Sequence, residues 1–457
     1  MSKENDVKAT TFYSREEVKK HNKDGDIWLI IDCVVYDVSK WIHKHPGGEK
    51  VIKSLAGKDC SEVFRTFHNP KLNRLLLPAF RIGKTFELKD TDEIEKSAIT
   101  KDFESLRKTL EEEGAFKPDY WFYFKTGTFI ASILLMSVGL AVYSNGFLAT
   151  SAAALLMGFF WQQMAFVGHD IGHHSVTQGT KTDDILGCVM GNLLTGISVA
   201  WWRDNHNYHH VVTNSFNYDP DVQHLPVFAV SKKFFQSFYS EYYKKEFKMD
   251  SVARTLVPYQ HFLFYPVMAI ARFNLYAQSF IFILSSKNVK RRFEEILLLS
   301  CFWMWFITLC LQLPTWQDCL LFFFLSHGIA GIIHVQICLS HFSMPVFDGL
   351  PQESRDKDGY VISQFEATTN IKCSPMFDFL HGGLQFQTEH HLFPRVTRSH
   401  LRRLQERVKP LCKKHDIPYH EMTFIEANIS VMKTLKATAK EATCFSSFFK
   451  EGVNAMG

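Results

Sequence analysis

QTEHH, residues 387–391, read beside HDIGHH at 169–174 and HNYHH at 206–210, decides what kind of chain this is. On a helix, positions i, i+3 and i+4 share a face, so His206, His209 and His210 can converge on one point, as can Gln387, His390 and His391. His169 and His173 form an i, i+4 pair. Imidazole suits iron, zinc and copper, and a histidine-rich set with no CxxC beside it indicates a nitrogen-rich site rather than a zinc–thiolate fold. With 21 histidines in 457 residues, an HxxHH is expected by chance only roughly 0.04 times in the chain. One such group could be an accident on a solvated loop. Three, each lying beside a long apolar segment, point to a metal site.

Those apolar segments set the architecture. No residue from Thr126 to Gly168 is charged, a length that suits two spanning helices of about 20 residues each, hinged at Ser144, Asn145 and Gly146. A second pair lies between Ile296 and Ser340, broken at PTWQD, where Asp318 is the one formal charge. The turns SNG and PTWQ lack Lys and Arg, whereas KNVKRR at 287–292 and RVTRSHLRRLQERVK at 395–409 are basic. By the positive-inside rule both hairpins then dip in from the cytosol and return. A spanning segment at 185–202 would put the first two histidine groups on opposite faces, so that run is expected in the interface or re-entrant. The run at 257–284 carries Pro258, Pro266 and a central Arg272, and reads as an interfacial amphipathic helix. Four spans result, with all three histidine groups at their cytosolic ends. The imidazoles exceed what one ion needs, and adjacent histidines point about 100° apart on a helix, so two metal ions can draw on neighbouring residues.

The first part of the chain is different in composition. Residues 10–88 alternate short strands and helices in charged, soluble sequence, with β-rich runs at Trp28–Ile31 and Val34–Val38. Pro46, Gly47 and Gly48 form a tight turn directly after His45, and His68 follows a helical stretch. Two neutral histidines clamping a flat cofactor from opposite faces make a six-coordinate haem, which can only pass electrons. Iron is therefore favoured for the histidine groups, because zinc would have no use for single electrons. Residues 84–101 read as a tether, FESLRKTLEEEG as a helix packed on the next domain, and SHLRRLQERVKPLCKKH as a basic amphipathic helix. The net charge of +4 gives no sign of a nucleic-acid partner, and ten cysteines without paired spacing read as reduced thiols. MSKENDVKATTFYSREEVKK has no apolar core, so the first domain is expected in the cytosol.

Residues 10–88 resemble a cytochrome b5 domain through VVYDVSKWI, HKHPGG and FHNP, which implies haem ligation by His45 and His68. With HDIGH, HNYHH and a third group that opens with glutamine, QTEHH followed by LFP, nearly the whole chain resembles a b5-fused front-end fatty acyl desaturase. The resemblance implies an α+β cytochrome b5-like haem domain (10–88), a linker with an amphipathic helix (89–122), an all-α membrane domain with four transmembrane and further interfacial helices (123–440), and a tail (441–457). It implies haem b and two iron ions as cofactors. His169, His173, His206, His209, His210, His390 and His391 would be iron ligands, Gln387 would stand in or near the first shell, and His341 matches a further family histidine. His174, His327, His334 and His381 have no assigned role; Asp170, Asp219 and Asp221 are candidate carboxylate partners of the imidazoles. The expected reaction is O2-dependent desaturation of a fatty acyl lipid or acyl-CoA at the delta-6 or delta-5 position. Electrons would come from an NADH–cytochrome b5 reductase, at the cytosolic face of the endoplasmic reticulum membrane. A delta-8 sphingolipid long-chain-base desaturase and a lipid hydroxylase share these features. A membrane electron-transfer or sensor protein with structural zinc is the reading from another class.

Overall fold

The computed structural model describes residues 11–68, 75–86, 98–351 and 359–455, with side chains described to residue 444. Most of the tether expected at 84–101, the last two residues of FHNP and the end of the C-terminal tail lie outside the described residues.

Strands β1 (Phe12–Tyr13), β2 (Asn22–Lys23), β3 (Asp26–Ile31), β4 (Val34–Asp37) and β5 (Arg81–Thr85) form one sheet in the order β1-β5-β4-β3-β2. The alternation along β3 and β4 buries Leu29, Ile31 and Tyr36 on the face that receives helices α1 (Glu49–Ser54) and α2 (Ser61–Phe67). His45 ends the short turn Ile42–Lys44 and His68 caps the C-terminus of α2, so both project from the ends of helical turns into the space between them.

Helix α3 (Ala98–Glu112) buries Ile99, Phe103 and Leu110 and leads into the apolar bundle. Helices α4 (Tyr120–Tyr143) and α5 (Phe147–Gly172) make the first hairpin, turning at residues 144–146 as the sequence implies. The run at 185–202 is no straight span: it stays helical to Thr195, as a π-helix over Cys188–Leu193, breaks at residues 196–198, and resumes as α6 (Val199–Val211). Then come α7 (Gln260–Ser285), α8 (Arg292–Leu311), and the nearly continuous α9 (Trp316–Ala330) and α10 (Ile332–Leu339). The chain closes with α11 (Gly359–Ala367), α12 (Gln387–Leu392), α13 (Leu401–Lys414) and α14 (Phe424–Ala455).

Five helical runs are long and apolar enough to cross a membrane, against the four expected. The additional one contains α7, and its reading as an amphipathic helix needs correction. Its outward side chains are mostly apolar, Phe262, Ile270, Ile281 and Leu284 among them, and Gln260, Arg272 and Ser279 face inward. Arg272 is 2% exposed, donates to Tyr276 Oη at 2.7 Å and to the Thr195 carbonyl, and lies 4.4 Å from the Trp161 ring. Burial inside protein, rather than a position at the head groups, is how this charge is tolerated. Both ends of α7 nevertheless stay on the histidine side. Phe264 near its start meets Phe342, next to His341, and Ser279 near its end accepts from the Ser198 amide that opens α6. The remaining four are α4, α5, α8 and α9–α10. Thr150 Oγ1 donates to Asp318 Oδ1 at 3.2 Å at the end remote from the histidines, and Tyr123 Oη donates to Asp170 Oδ2 at 3.0 Å at the histidine end.

The b5-like unit is seated on the histidine face. Lys50 pairs with Asp204 of α6 at 2.8 Å and lies 3.8 Å from the Tyr242 ring centre. Glu62 of α2 is 9% exposed and accepts from Thr100 Oγ1 at 2.9 Å and from the first amides of α11, Tyr360 at 3.2 Å and Val361 at 3.4 Å. Those amides have no intrahelical acceptor, so the carboxylate supplies what the helix lacks.

Losing that acceptor leaves buried donors unpaired at about 1–3 kcal/mol each. Glu62→Ala is therefore expected to lower the thermal midpoint of the full chain and to speed amide exchange across Gly359–Ala367, with the haem absorption retained. Exchange as slow as in the parent chain would show that this contact does not hold the two parts together.

Candidate metal centre

Local sequence places each histidine before tertiary packing sorts them. In α5 the i, i+4 spacing of His169 and His173 puts both rings over the end of the helix, 4.9 Å apart. Gly172 between them has a structural reason: a Cβ there would lie 1.8 Å from the Trp202 ring. That indole packs on His206 at 4.4 Å, His169 at 5.5 Å and His173 at 5.7 Å, so it fixes three imidazoles at once. Gln162 and Gln163 of α5 and Gln336 of α10 donate to the carbonyls of Phe379 and Leu380, drawing the loop ahead of QTEHH in among the spans. Gly382, at φ 57°, then passes so close to Phe166 that a side chain would overlap its ring, and α12 starts in place.

The histidines divide into two groups. His169, His173, His206, His210 and His390 have ligand atoms within 4.8 Å of one another, and so do His209, His341 and His391. The expectation that each HxxHH converges on a single point is thus corrected. His209 parts from His206 and His210, and His391 parts from His390, because neighbours on a helix face about 100° apart. Gln387 falls in the second group, its amide head 3.0 Å from Nε2 of both His341 and His391. Either amide orientation fits, so its oxygen can be turned toward a shared ion.

In the second group the outer ring nitrogens are all held. Asp219 lies 2.9 Å from His209 Nδ1, the Gln364 side-chain oxygen 2.9 Å from His391 Nδ1, and the Ala367 carbonyl 3.3 Å from His341 Nδ1. Anchoring Nδ1 leaves Nε2 free to face inward. Asp219 is itself wholly buried and fixed by the amides of Asn214 and Asp221. Asp221 is more remote, 3.7 Å from His209, and Asp170 faces His169 at 3.7 Å but is engaged by Tyr123 and Arg398. Glu389 points away from both groups and is braced by Asn370 and Tyr419, each at 2.6 Å.

Burial and mutual repulsion push His173, His206, His210, His390 and His391 well below the usual imidazole range, so they stand neutral. His209 differs: burial works against its charged form, yet Asp219 and then Asp221 hold it up at about 9. A metal at Nε2 would replace that proton while the carboxylate keeps the other nitrogen protonated. Ring nitrogens face one another without enough hydrogens between them: His210 Nε2 is 3.0 Å from His206 Nε2 and 3.1 Å from His390 Nε2. Nε2 of His169 and of His173 are buried without any hydrogen-bond partner. Converging lone pairs of this kind fit metal ions.

His45 and His68 sit apart from these groups, their rings 5.9 Å from each other across an apolar cavity of about 370 Å³. Each Nδ1 is spent on a backbone carbonyl, Gly48 at 2.9 Å and Phe64 at 3.0 Å, leaving Nε2 for the cavity. Burial lowers both, His68 to about 3, so both are neutral ligands suited to haem iron. Phe67, next to His68, meets the ring of His210 at 6.1 Å. His327 belongs to neither group, its nitrogens being 2.7 Å from the Phe323 carbonyl and 3.2 Å from Tyr276 Oη. His381 rests against Phe424, and His334 lies buried outside both groups. Sequence reasoning missed Trp202, Gln364 and Ala367, and Thr213, whose hydroxyl lies 3.2 Å from His391 Nδ1. Only the tryptophan, four residues before His206, had a local signal.

Residues 145–423 match the family described as "Fatty acid desaturase", and residues 14–85 that described as "Cytochrome b5-like Heme/Steroid binding domain". The chain is 39% identical over 437 residues to the "Delta(8)-fatty-acid desaturase 2" of Arabidopsis thaliana, covering 94% of each. It is 39% identical over 431 residues to the "Acyl-lipid (9-3)-desaturase" of Borago officinalis, again with 94% of each covered. Against the "Delta 8-(E)-sphingolipid desaturase" of Komagataella phaffii it is 31% identical over 515 residues, covering 94% of this chain and 93% of the relative.

A carboxylate behind a ligating imidazole is worth about 10–100-fold in metal affinity. Iron titration of metal-stripped Asp219→Asn should show one class of site weakened by that factor while the other is kept. Two unaltered affinities would reduce Asp219 to a cap for the turn that follows it.

Proposed function

This chain belongs to the fatty acid desaturase family, with a cytochrome b5 domain fused at its front, and from that premise we propose that it places a double bond at the delta-8 position of a sphingolipid long-chain base. The family implies iron and the b5 domain implies haem; two irons, one to each histidine group, are our reading of the division into five and three. Bound there, iron would supply O2 activation and hydrogen abstraction from an unactivated carbon, with the haem feeding it single electrons.

This chain's own residues do the rest. His169, His173, His206, His210 and His390 would hold one ion, and His209, His341, His391 and Gln387 the other. Asp219, Gln364 and Ala367 orient the second set, and Trp202 the first. Burial of the groups, His209 at 1% and His391 at 0% exposure, excludes water from the reacting centre. The apolar surfaces of the spans suit a lipid substrate reached from the bilayer. An NADH–cytochrome b5 reductase as electron source, and the endoplasmic reticulum membrane with both sites toward the cytosol, complete the proposal.

The observation that carries delta-8 over the delta-6 or delta-5 position first expected is the recurrence of that position in the names of plant and fungal relatives aligned along nearly the whole chain. A second reading, an acyl-lipid desaturase acting elsewhere on the chain, is favoured by the borage relative at the same 39% identity.

Expression in a host whose long-chain bases lack this double bond, followed by mass spectrometry of double-bond positions in long-chain bases and fatty acids, separates the two. Delta-8 unsaturation confined to long-chain bases is expected; new double bonds in fatty acids alone would favour the second reading. In the same host, His45→Ala is expected to abolish product while metal analysis finds the non-haem iron content of the parent chain. Turnover at the parental rate would remove the fused haem from the electron route.

A further inference from the structure

The cavity that holds His45 and His68 is not closed by its own domain. Part of its wall comes from the desaturase domain: His173 and His174 at the end of α5, Asn207 of α6, and Arg395 just beyond α12. Among the described residues, Arg395 is the one Lys or Arg in that lining. Every residue that the b5-like unit itself contributes to the described lining is apolar, a glycine, a cysteine, or one of the two ligand histidines.

Arg395 has no carboxylate partner among the described residues. Its Nη2 donates to the Gln178 side-chain oxygen at 3.1 Å, and its Nε is buried with no acceptor. Beside it, His174 is 8% exposed, and its Nε2 is likewise buried without a hydrogen bond. The nearest carboxylate to His174, Asp184, is 3.5 Å away and already engaged by Arg203. His174 also holds a left-handed backbone, φ 55°, a conformation costing about 1–2 kcal/mol in a residue other than glycine. Neither side chain belongs to the two histidine groups. A half-buried guanidinium without a paired carboxylate is costly, and two buried nitrogens without a hydrogen bond, Arg395 Nε and His174 Nε2, on one wall of one cavity, call for an anion. A haem is an apolar disc carrying two carboxylates, and among the described lining residues no other Lys or Arg is present to neutralise them.

We propose that the haem site is shared between the two domains, with Arg395, assisted by His174, binding the haem carboxylates from the desaturase side. This rests on the reading of the b5-like unit as a haem carrier. Docking then sets the redox balance of the haem as well as its distance from the irons. A cation held near the haem favours the ferrous form, which carries one positive charge less than the ferric, so the desaturase domain makes its own electron donor easier to reduce.

The test is spectroelectrochemical titration of the full-length protein, as the parent chain, Arg395→Met and Arg395→Lys, each reconstituted with haem b and with its dimethyl ester. With haem b, Arg395→Met should shift the ferric-to-ferrous ratio at fixed potential about tenfold toward ferric, a midpoint lower by about 59 mV for a one-electron couple. Arg395→Lys should restore most of it, and iron content at the parental level certifies the fold. The parent should also hold haem b more tightly than Arg395→Met does, whereas the two should hold the ester, whose carboxyl groups carry no charge, equally. No shift in potential with haem b, or the same loss of affinity for the ester as for haem b, or equal shifts in the Met and Lys variants, would overturn the proposal. A chain that takes up no haem in any form would instead overturn the haem reading beneath it.

Discussion

Eight imidazoles, six of them buried, bring ring nitrogens within 4.8 Å of one another in two groups, with His210 about 3 Å from both His206 and His390, and every other feature of the histidine face answers to that constraint. Protonation would relieve the lone pairs but add buried charge, and burial with mutual repulsion rules that out for most of them. Each unmet polar group costs about 1–3 kcal/mol, so the arrangement survives only where the scaffold leaves the rings no alternative. Trp202 against Gly172, the glutamines that draw in residues 379–380, and the anchors on Nδ1 of His209, His341 and His391 remove those alternatives. Metal binding then contributes free energy to a fold already committed to receiving it.

The membrane helices serve the same end by turning the usual soluble pattern around. Apolar side chains of α4, α7 and α8 face outward, while Arg272, Tyr276, His327 and Thr195 meet inside. A bilayer offers no water to satisfy those groups, so each finds a protein partner, and the polar contacts lock helices that apolar packing alone would let slide. This explains why the run at 257–284 misleads as sequence. A central arginine after two prolines suggests a helix at the head groups, whereas the guanidinium is housed by Trp161 and the Thr195 carbonyl, neither of which lies near it in sequence.

What could be read from residues alone follows the same line. The HPGG turn and the uncharged hairpins carry their meaning locally, through charge and turn chemistry, and the structure builds both as the sequence implies; the three histidine groups mark where the site lies. The division of those histidines does not follow from which residues share a helical face. It follows from the 100° step between His209 and His210 and between His390 and His391, combined with packing that fixes which side each ring takes. Gln364 and Ala367 were invisible because they stand in FEATTN-like sequence with no histidine nearby, and they meet their rings only through α11. Glu62, one acid among many in the front domain, gains its meaning from amides almost three hundred residues away.

The tightest coupling of the two halves lies in a single pair of consecutive residues. His173 caps α5 and contributes to the five-histidine group, yet it also lines the cavity between His45 and His68. His174, one step on, turns through a left-handed backbone and faces that same cavity with its Nε2 unmet. A helix continuing past Gly172 would carry the second ring about 100° round the axis and back toward the bundle. Ending the helix there, at the cost of one strained residue, lets adjoining side chains look into two different sites. The wall between electron donor and metal centre is thus about one residue thick, and it belongs to the desaturase domain rather than to the b5-like unit. That ownership has a physical consequence. The b5-like unit is held by an ion pair, a buried helix cap and an apolar core that runs on into the desaturase domain, whereas His173, His174 and Asn207 of the wall are carried by α5, its C-terminal end and α6. The separation between the two sites is therefore built by the desaturase domain, and the haem-bearing unit seats against it.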